Sequence, residues 1–194
     1  MRTAIRRPAH LHFHDLAGHF LALSSGDRFF RFGWVMTDVE IAAYVQSLFM
    51  LGDNVLVVVE PDRDISGVLH LESMGCGVNL GLSVSAWARN LGIGTLLLQQ
   101  AGLLARARAL TTLFVRNLNL NSALQQLALR LGMRVACAPN AQTTRLEVPA
   151  ANGHTARLDE FMGKITLADD SLRSQWNGVS PDASLLDLPR PILS

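Results

Sequence analysis

Hydrophobic and polar positions in the first half of the chain follow the spacings of a strand, two helices and three further strands. Apolar residues recur every three to four positions in the helical segments, and the second helix starts at Thr37 and Glu40, which have the spacing of a capping box. Alternating and β-branched runs, broken by glycine and proline, indicate the strands. In chain order the predicted elements are a strand at residues 3–6, helices at 14–23 and 38–51, and strands at 55–59, 65–72 and 78–85. The last three strands predict an antiparallel meander, because the turns between them are short.

The second half continues as helix, strand, helix and two strands. Its first helix is long and apolar, and its second ends at Gly132, a residue suited to the left-handed conformation that closes many helices. The predicted ranges are a helix at 92–109, a strand at 112–116, a helix at 122–131, and strands at 133–138 and 144–148. The resulting order, β-α-α-β-β-β-α-β-α-β-β, predicts an α/β fold of the α+β type.

The pattern changes again near the C-terminus, which predicts a domain at residues 1–149 and an extension at 150–194. The extension opens with a linker-like stretch, contains a short amphipathic helix and ends in a tail rich in proline and leucine. The helix is indicated by Leu158, Phe161, Met162 and Ile165. Such a helix needs an apolar surface to cover, either on its own domain or on a second copy of the chain, so a homodimer is one of two expectations.

Composition narrows the class of protein. The 194 residues are 49% hydrophobic and 17% charged, with a formal net charge of +1, so a globular fold is expected and a broad basic surface for nucleic acid or an anionic membrane is not. Since there is no secretory signal and no apolar run long enough to cross a bilayer, we expect a cytoplasmic protein.

Cysteine and histidine spacing gives no metal site. Cys76 and Cys137 lack CxxC or zinc-ligand spacing, and we expect both to be reduced thiols. His10, His12 and His14 would share a face of an extended segment, but no cysteine or carboxylate cluster accompanies them. A polar lead-in to the first helix is the better interpretation, and no metal is expected.

The segment with the clearest chemistry is residues 89–95, between a predicted strand and a long helix. Glycines there let backbone N–H groups approach a ligand, and the start of the helix adds a positive dipole end. The ligand that such a segment favours is a phosphate or pyrophosphate. A Rossmann site would need a third glycine and a later acidic residue in a parallel sheet, and a P-loop would need Gly-Lys-Ser/Thr at this point. Neither pattern fits the sequence.

These residues resemble the GCN5-related N-acetyltransferase (GNAT) superfamily, whose motif is Arg or Gln, two residues, Gly, one residue, then Gly or Ala. Arg89, Gly92 and Gly94 satisfy it. The second conserved segment of the family is similar to the stretch that begins at Asn121 and contains Leu124, Leu127, Gly132 and Met133. The resemblance implies a mixed, mainly antiparallel central sheet flanked by helices, and it extends over roughly the first three-quarters of the chain.

The resemblance also implies acetyl-CoA as the acetyl donor. The pyrophosphate would be held at the motif and the pantetheine arm would run along the fourth strand, while an Asn contacts the cofactor from the helix after the fifth strand. The cofactor-binding residues implied in this way are Leu82, Ser83, Val84, Arg89, Asn90, Leu91, Gly92, Ile93, Gly94, Thr95 and Asn121.

The catalytic groups depart from the family pattern. Many members carry a tyrosine where this chain has Ala128 and a glutamate where it has Asn79. The remaining candidate bases are Glu72 and His70, which share a face of the preceding strand, and Ser83 could hydrogen-bond near the thioester. The alternatives are that Glu72 is a solvated carboxylate, that His70 is a packed imidazole and that Ser83 fills the sheet.

We therefore expect an N-acetyltransferase that moves the acetyl group of acetyl-CoA directly to a primary amine of a small molecule or protein. The alternative is a non-catalytic acyl-CoA-binding or interaction module that keeps the anion-binding segment at residues 89–95, which we call the cradle, and has lost its proton-transfer groups. Neither the acceptor nor the oligomeric state follows from the sequence.

Overall fold

A computed structural model of the chain describes residues 4–6, 13–51, 54–59, 64–74, 77–136 and 143–150. These ranges contain strands β1 (Ala4–Arg6), β2 (Asn54–Val59), β3 (Ile65–Met74), β4 (Gly77–Val84), β5 (Thr112–Arg116), β6 (Arg134–Ala136) and β7 (Thr143–Glu147). The helices are α1 (Phe13–Leu21), α2 (Ser25–Phe32), α3 (Asp38–Leu51), α4 (Ile93–Ala107) and α5 (Ser122–Arg130). Single 3-10 turns at Ala86–Ala88 and Leu118–Leu120 precede α4 and α5.

The strands form one mixed sheet in the order β1-β2-β3-β4-β5-β7-β6. Every neighbouring pair is antiparallel except β4 and β5, which are parallel and are connected through α4. The predicted meander is confirmed as β2, β3 and β4, and the mixed, mainly antiparallel sheet is confirmed as well. A parallel neighbour needs a crossover connection, which is why the long apolar helix lies between these two strands in sequence.

Both faces of the sheet are covered. On one face, α4 and α5 pack on apolar side chains of β3, β4 and β5, with Leu69, Leu97 and Leu113 fully buried. On the other face, α1 and α3 enclose a second cluster that includes Phe20 and Val57. Burial of apolar surface on both faces accounts for the strong apolar character of the central strands.

The structure corrects the predicted element order at one point, because α2 was absent from it. The helix predicted at residues 14–23 is α1, which ends at Leu21, and a separate short helix follows. Ser24 caps α2 by accepting a hydrogen bond from the Asp27 N–H, and Gly33 closes it in the left-handed conformation at φ +94°. Both cap residues are visible in the sequence, but the aromatic residues between them hide the helical pattern.

The predicted capping box at the start of α3 is confirmed. The Thr37 backbone N–H donates to Glu40 Oε2 at 2.7 Å, and the Glu40 N–H donates back to Thr37 Oγ1 at 3.3 Å. These two bonds satisfy backbone donors that the first turn of the helix leaves without partners.

Several predictions fall on residues outside the described ranges. They concern Cys76, Cys137, His10, His12 and the extension after residue 150, and the division into residues 1–149 and 150–194 stays a prediction. Within the described ranges, no helix has the length and apolar character needed to span a membrane. The His, Cys, Asp and Glu side chains of the same ranges form no cluster that could hold a metal ion.

Candidate active site

The sheet opens between β4 and β5. The two parallel strands are bridged at one position, Asn79 opposite Phe114, although β4 continues to Val84. Beyond that bridge, the side of β4 that faces β5 has no strand partner in the described part of the chain. Backbone N–H and C=O groups of β4 therefore line an opening in the middle of the sheet.

The register of β3 and β4 identifies which amides face this opening. The Ser85 N–H donates to the Ser66 carbonyl at 2.9 Å, so Ser85 presents its backbone groups to β3. Successive residues of a strand present these groups to opposite sides, which puts Ser83 on the β3 side as well. Leu82 and Val84 therefore direct their N–H and C=O groups into the opening, while Ser83 lies opposite Val68.

The opening leads to the start of α4. Asn90 and Gly92 both have left-handed backbones, with φ of +64° and +84°, and turn the chain sharply into the helix. Gly92 caps α4 without a side chain, and its carbonyl accepts from the Leu96 N–H at 3.0 Å. Residues 93–95 lie between Gly92 and Leu96, before the first helical hydrogen bond. Their N–H groups are therefore available to an anion at the helix start.

Gly94 and Arg89 have different environments in this cradle. A Cβ at Gly94 would lie 3.4 Å from Leu127 Cδ2 and 3.7 Å from Val84 Cγ2, which are ordinary contacts that alanine could make. Arg89 Nη2 lies 2.7 Å from Asp27 Oδ1 of α2. The guanidinium therefore ties α2 to the cradle, and the predicted role of Arg89 in cofactor binding stays a prediction.

Asn121 lies where the sequence predicted, at the start of α5. Its Oδ1 accepts from the Leu124 N–H at 3.0 Å, so it caps the helix. Asn117, four residues earlier, is buried and donates from Nδ2 to the Phe29 and Gly33 carbonyls, both at 3.1 Å. This second asparagine holds the C-terminal end of α2 beside β5.

Polar side chains form a row on the face of β3 and β4 that α1, α2 and α3 cover. The cross-strand pairs are Glu72 with Asn79, His70 with Gly81 and Val68 with Ser83. Residues paired in this way share a face of the sheet, so the predicted common face of His70 and Glu72 is confirmed. We call Glu72, His70, Asn79, Gly81 and Ser83 the polar row. It runs alongside the opening between β4 and β5.

Glu72 lies at the end of the polar row where β4 separates from β5. Its Oε2 accepts from Asn79 Nδ2 at 3.0 Å and lies 3.8 Å from Arg116 Nη2. The Glu72 side chain is 43% exposed, so it remains accessible from solvent. Many members of the resembled family have a glutamate at the position of Asn79 on β4. Here the carboxylate is on the neighbouring strand β3, directly opposite that position.

Ser83 lies further along the polar row and bonds to His19 of α1. Ser83 Oγ is 2.8 Å from His19 Nε2, and His19 Nδ1 lies 3.3 Å from the Ile65 carbonyl and 3.0 Å from Ser85 Oγ. A carbonyl can only accept, so Nδ1 carries the proton and Nε2 accepts from the Ser83 hydroxyl. Burial lowers the pKa of His19 to about 4, and the nearby Arg31 charge acts in the same direction. The imidazole is therefore neutral near pH 7.

The lowered pKa of His19 predicts a specific loss of stability in acid. The folded pKa of about 4 lies below the ordinary value of 6.5, so between these values the unfolded chain binds a proton that the folded chain does not. Stability should fall as the pH drops through this window, by about 3 kcal/mol in total. Urea unfolding at pH 7 and pH 4.5 should show a smaller loss in His19→Gln than in the wild type. An equal loss in both proteins would contradict the assignment of a neutral, buried His19.

Arg31 and Tyr44 also place polar groups over the polar row. Arg31 Nη2 donates to Tyr44 Oη at 2.6 Å, and Tyr44 Oη lies 2.8 Å from His70 Nδ1. His70 is 4% exposed and is therefore covered by this contact. Of the three predicted catalytic residues, Glu72 is accessible to solvent, whereas His70 and Ser83 are buried and held by other side chains.

Three residues of the site, His19, Arg31 and Tyr44, were not predicted from the sequence. A signal existed for His19, since Leu16, His19 and Phe20 have the spacing of one helix face and all three are buried. Arg31 lies in the helix that was not predicted, and the partners of Tyr44 lie on other elements.

Comparison with known proteins gives a result at the level of structure. No family model matches the sequence, and no curated protein matches it. Among solved structures, the GNAT domain of PAT from S. lividans matches with a TM-score of 0.60 and 13% identity, over 75% of this chain and 89% of that one. An N-acetyltransferase from Staphylococcus aureus Mu50 matches with a TM-score of 0.57 and 16% identity, over 76% and 96%.

A third structure is a GNAT superfamily phosphinothricin acetyltransferase from Sinorhizobium meliloti in complex with acetyl-CoA. It matches with a TM-score of 0.52 and 14% identity, over 76% of this chain and 87% of that one. Identities this low describe a common fold. The chain has the fold of the GNAT acetyltransferases.

Proposed function

We propose that the protein is an N-acetyltransferase that transfers the acetyl group of acetyl-CoA directly to a primary amine. The observation that carries this proposal is the continuity between the opening beside β4 and the start of α4. Leu82 and Val84 offer amides to an extended, amide-bearing arm, and the N–H groups after Gly92 offer an anion site at its end. CoA combines these two chemical features in one molecule.

The residues present fit acetyl-CoA in a further respect. The cradle binds through backbone N–H groups, so it needs no lysine or arginine to hold the anion. This agrees with the pairing of Arg89 with Asp27. When bound, acetyl-CoA supplies an activated thioester carbonyl. The chain's part is to position that carbonyl against the amine and to remove a proton from the nitrogen.

Glu72 is the group that we assign to proton removal. It is a carboxylate on the face covered by α2, at the point where the opening begins, and Asn79 Nδ2 fixes one of its oxygens. The nitrogen lone pair forms the new C–N bond, the C–S bond breaks with its electron pair on sulfur, and Glu72 takes the proton from nitrogen. The thiolate then takes up a proton from water.

Ser83 does not contact the amine in this account. It is buried, its hydroxyl donates to His19 Nε2, and it lies four residues along β4 from Asn79, about 13 Å from the residue paired with Glu72. His70 is covered by Tyr44 and takes no step here. The buried Ala128 has no proton to donate, which is why the thiolate is assigned a proton from water.

The test is acetyl-CoA-dependent thiol release with a panel of primary amines that includes amino acids, polyamines, aminoglycosides and peptide amines. We expect release that depends on both acetyl-CoA and one class of amine, with equal amounts of thiol and acetylated amine formed. Binding of acetyl-CoA without amine-dependent release from any class would instead favour a non-catalytic acyl-CoA-binding module. A reaction without amine in the mixture gives the background hydrolysis.

A further inference from the structure

Arg31 is a buried cation on the face of the sheet where the polar row lies. It is 7% exposed, and its guanidinium carbon lies 5.0 to 5.6 Å from the ring centroids of Phe20, Phe32 and Tyr44. The aromatic rings stabilise the charge through cation–π contacts. They do not replace the hydrogen bonds that the guanidinium would make in water.

The Arg31 guanidinium is not fully hydrogen-bonded by the part of the chain that the structure describes. There, Tyr44 Oη accepts one hydrogen bond from Nη2, and the buried Nε has no partner. Within the described ranges no carboxylate pairs with Arg31, whereas Arg28, Arg89 and Arg134 each lie within 2.7 Å of an Asp or Glu oxygen. Burial of a guanidinium without a counter-ion is unfavourable because the group stays charged in proteins. An anion bound against Arg31 would remove this cost.

The position of the guanidinium limits which anion can bind. Arg31 packs on β4 at Gly81, where a Cβ would overlap Nη1 and Cζ, so the missing side chain makes room for the charge. Gly81 lies between Asn79, where the opening begins, and Ser83. It is about 13 Å along the strand from Ser85, at the end away from the α4 cradle. The pyrophosphate of a CoA held at that cradle is therefore not the anion.

We propose that Arg31 binds the carboxylate of a small acceptor that also carries the reacting amine, which makes an amino acid the acceptor class. This inference rests on the proposed function. Gly81 and Asn79 are two residues apart, about 7 Å, so a carboxylate at Arg31 places an amine on the neighbouring carbon close to Glu72 and the opening. The planar guanidinium has donors in the geometry that a carboxylate prefers.

A free amino acid fits this site better than a peptide chain. Arg31 is covered by α2, which is tied to the rest of the fold by Asp27 with Arg89 and by Asn117 with the Phe29 and Gly33 carbonyls. A small molecule needs little room under such a helix. A C-terminal peptide carboxylate would need the helix to move.

The experiment compares common L-amino acids with their α-carboxamides, which keep the amine and lose the negative charge. In the wild type, kcat/KM for the preferred amino acid should exceed that of its carboxamide by about tenfold to a hundredfold, the usual worth of a charge-assisted hydrogen bond. The amino acid, and not its carboxamide, should also raise the melting temperature. This second readout does not depend on acetyl transfer.

Arg31→Met separates a binding role from a structural one. An apolar side chain of similar length removes a buried, unpaired charge, so the variant should melt at the wild-type temperature or above it. It should use amino acids and carboxamides equally and lose the amino-acid-dependent rise in melting temperature. Arg134→Met, which removes an exposed arginine paired with Glu147, is the matched control and should behave as wild type.

Two results would overturn the inference. One is a wild type that uses carboxamides as well as amino acids, or that is stabilised equally by both; this comparison needs no variant and holds even if Arg31→Met fails to fold. The other is an Arg31→Met protein that keeps the preference for carboxylates. Turnover of carboxamides would leave the proposed acetyltransferase intact. Failure to bind acetyl-CoA would remove that function, and the melting temperatures with amino acid and carboxamide would still decide the carboxylate site.

Discussion

Replacement of Gly92 by leucine is expected to raise the Kd for acetyl-CoA by at least about 100-fold. This is the size of effect that the loss of two hydrogen bonds to a charged group produces. Gly92 has φ +84° and caps α4 with its backbone alone. A side chain there is strained in the left-handed conformation, and its Cβ would project into open space at the start of α4, where we place the phosphate. The amides that follow Gly92 would then be kept away from the anion.

Gly132 supplies a matched control for this variant. It also has a left-handed backbone, at φ +73°, and a Cβ at either glycine would contact nothing within 4 Å. Gly132 follows α5 and lies outside the cradle. Gly132→Leu should therefore carry a similar conformational cost and leave the Kd within about twofold of the wild type, since surface changes away from a site have small effects. Equal binding by Gly92→Leu and the wild type would show that the cofactor lies elsewhere.

Replacement of Glu72 by glutamine is expected to lower kcat by about 100-fold or more, the usual contribution of a general base. Glutamine keeps the size of the side chain, and its Oε1 can still accept from Asn79 Nδ2, so the strand pairing should be retained. The Kd for acetyl-CoA should stay near the wild-type value because Glu72 faces the acceptor side. Steady-state thiol release combined with calorimetry separates the two quantities.

Glu147→Gln is the control for the loss of one carboxylate. Glu147 is on β7 and pairs with Arg134, and its side chain is 41% exposed, close to the exposure of Glu72. Its replacement should leave kcat unchanged. Full activity in Glu72→Gln would assign proton removal to another group, and Ser83 with His19 would then be the pair to examine, through the pH dependence of kcat in Ser83→Ala.

Local sequence patterns predicted much of the fold because the determining interactions are short in range. Thr37 and Glu40 bond to each other across one helical turn, and the left-handed Gly92 lies beside the helix that it starts. The alternating runs of β2, β3 and β4 leave little choice of pairing when the connecting turns are short. The strand-turn-helix geometry of the cradle follows from the same kind of evidence.

The acceptor side of the site could not be predicted in this way, because its contacts join distant residues. His19 and Ser83 are 64 positions apart and meet where α1 crosses the sheet. Arg31 lies in a helix of eight residues whose aromatic side chains obscure its period, and it reaches Tyr44 of α3. Glu72 was predicted as a candidate base, but its hydrogen bond with Asn79 depends on the register of two strands.

Acetyl-CoA binding, measured by calorimetry on the purified full-length protein, tests the central claim most directly. The account predicts one binding site per chain, retained in Glu72→Gln and lost in Gly92→Leu. Absence of binding to the wild type, or binding that Gly92→Leu leaves unchanged, would contradict the assignment of the β4–β5 opening and the α4 start as the cofactor site.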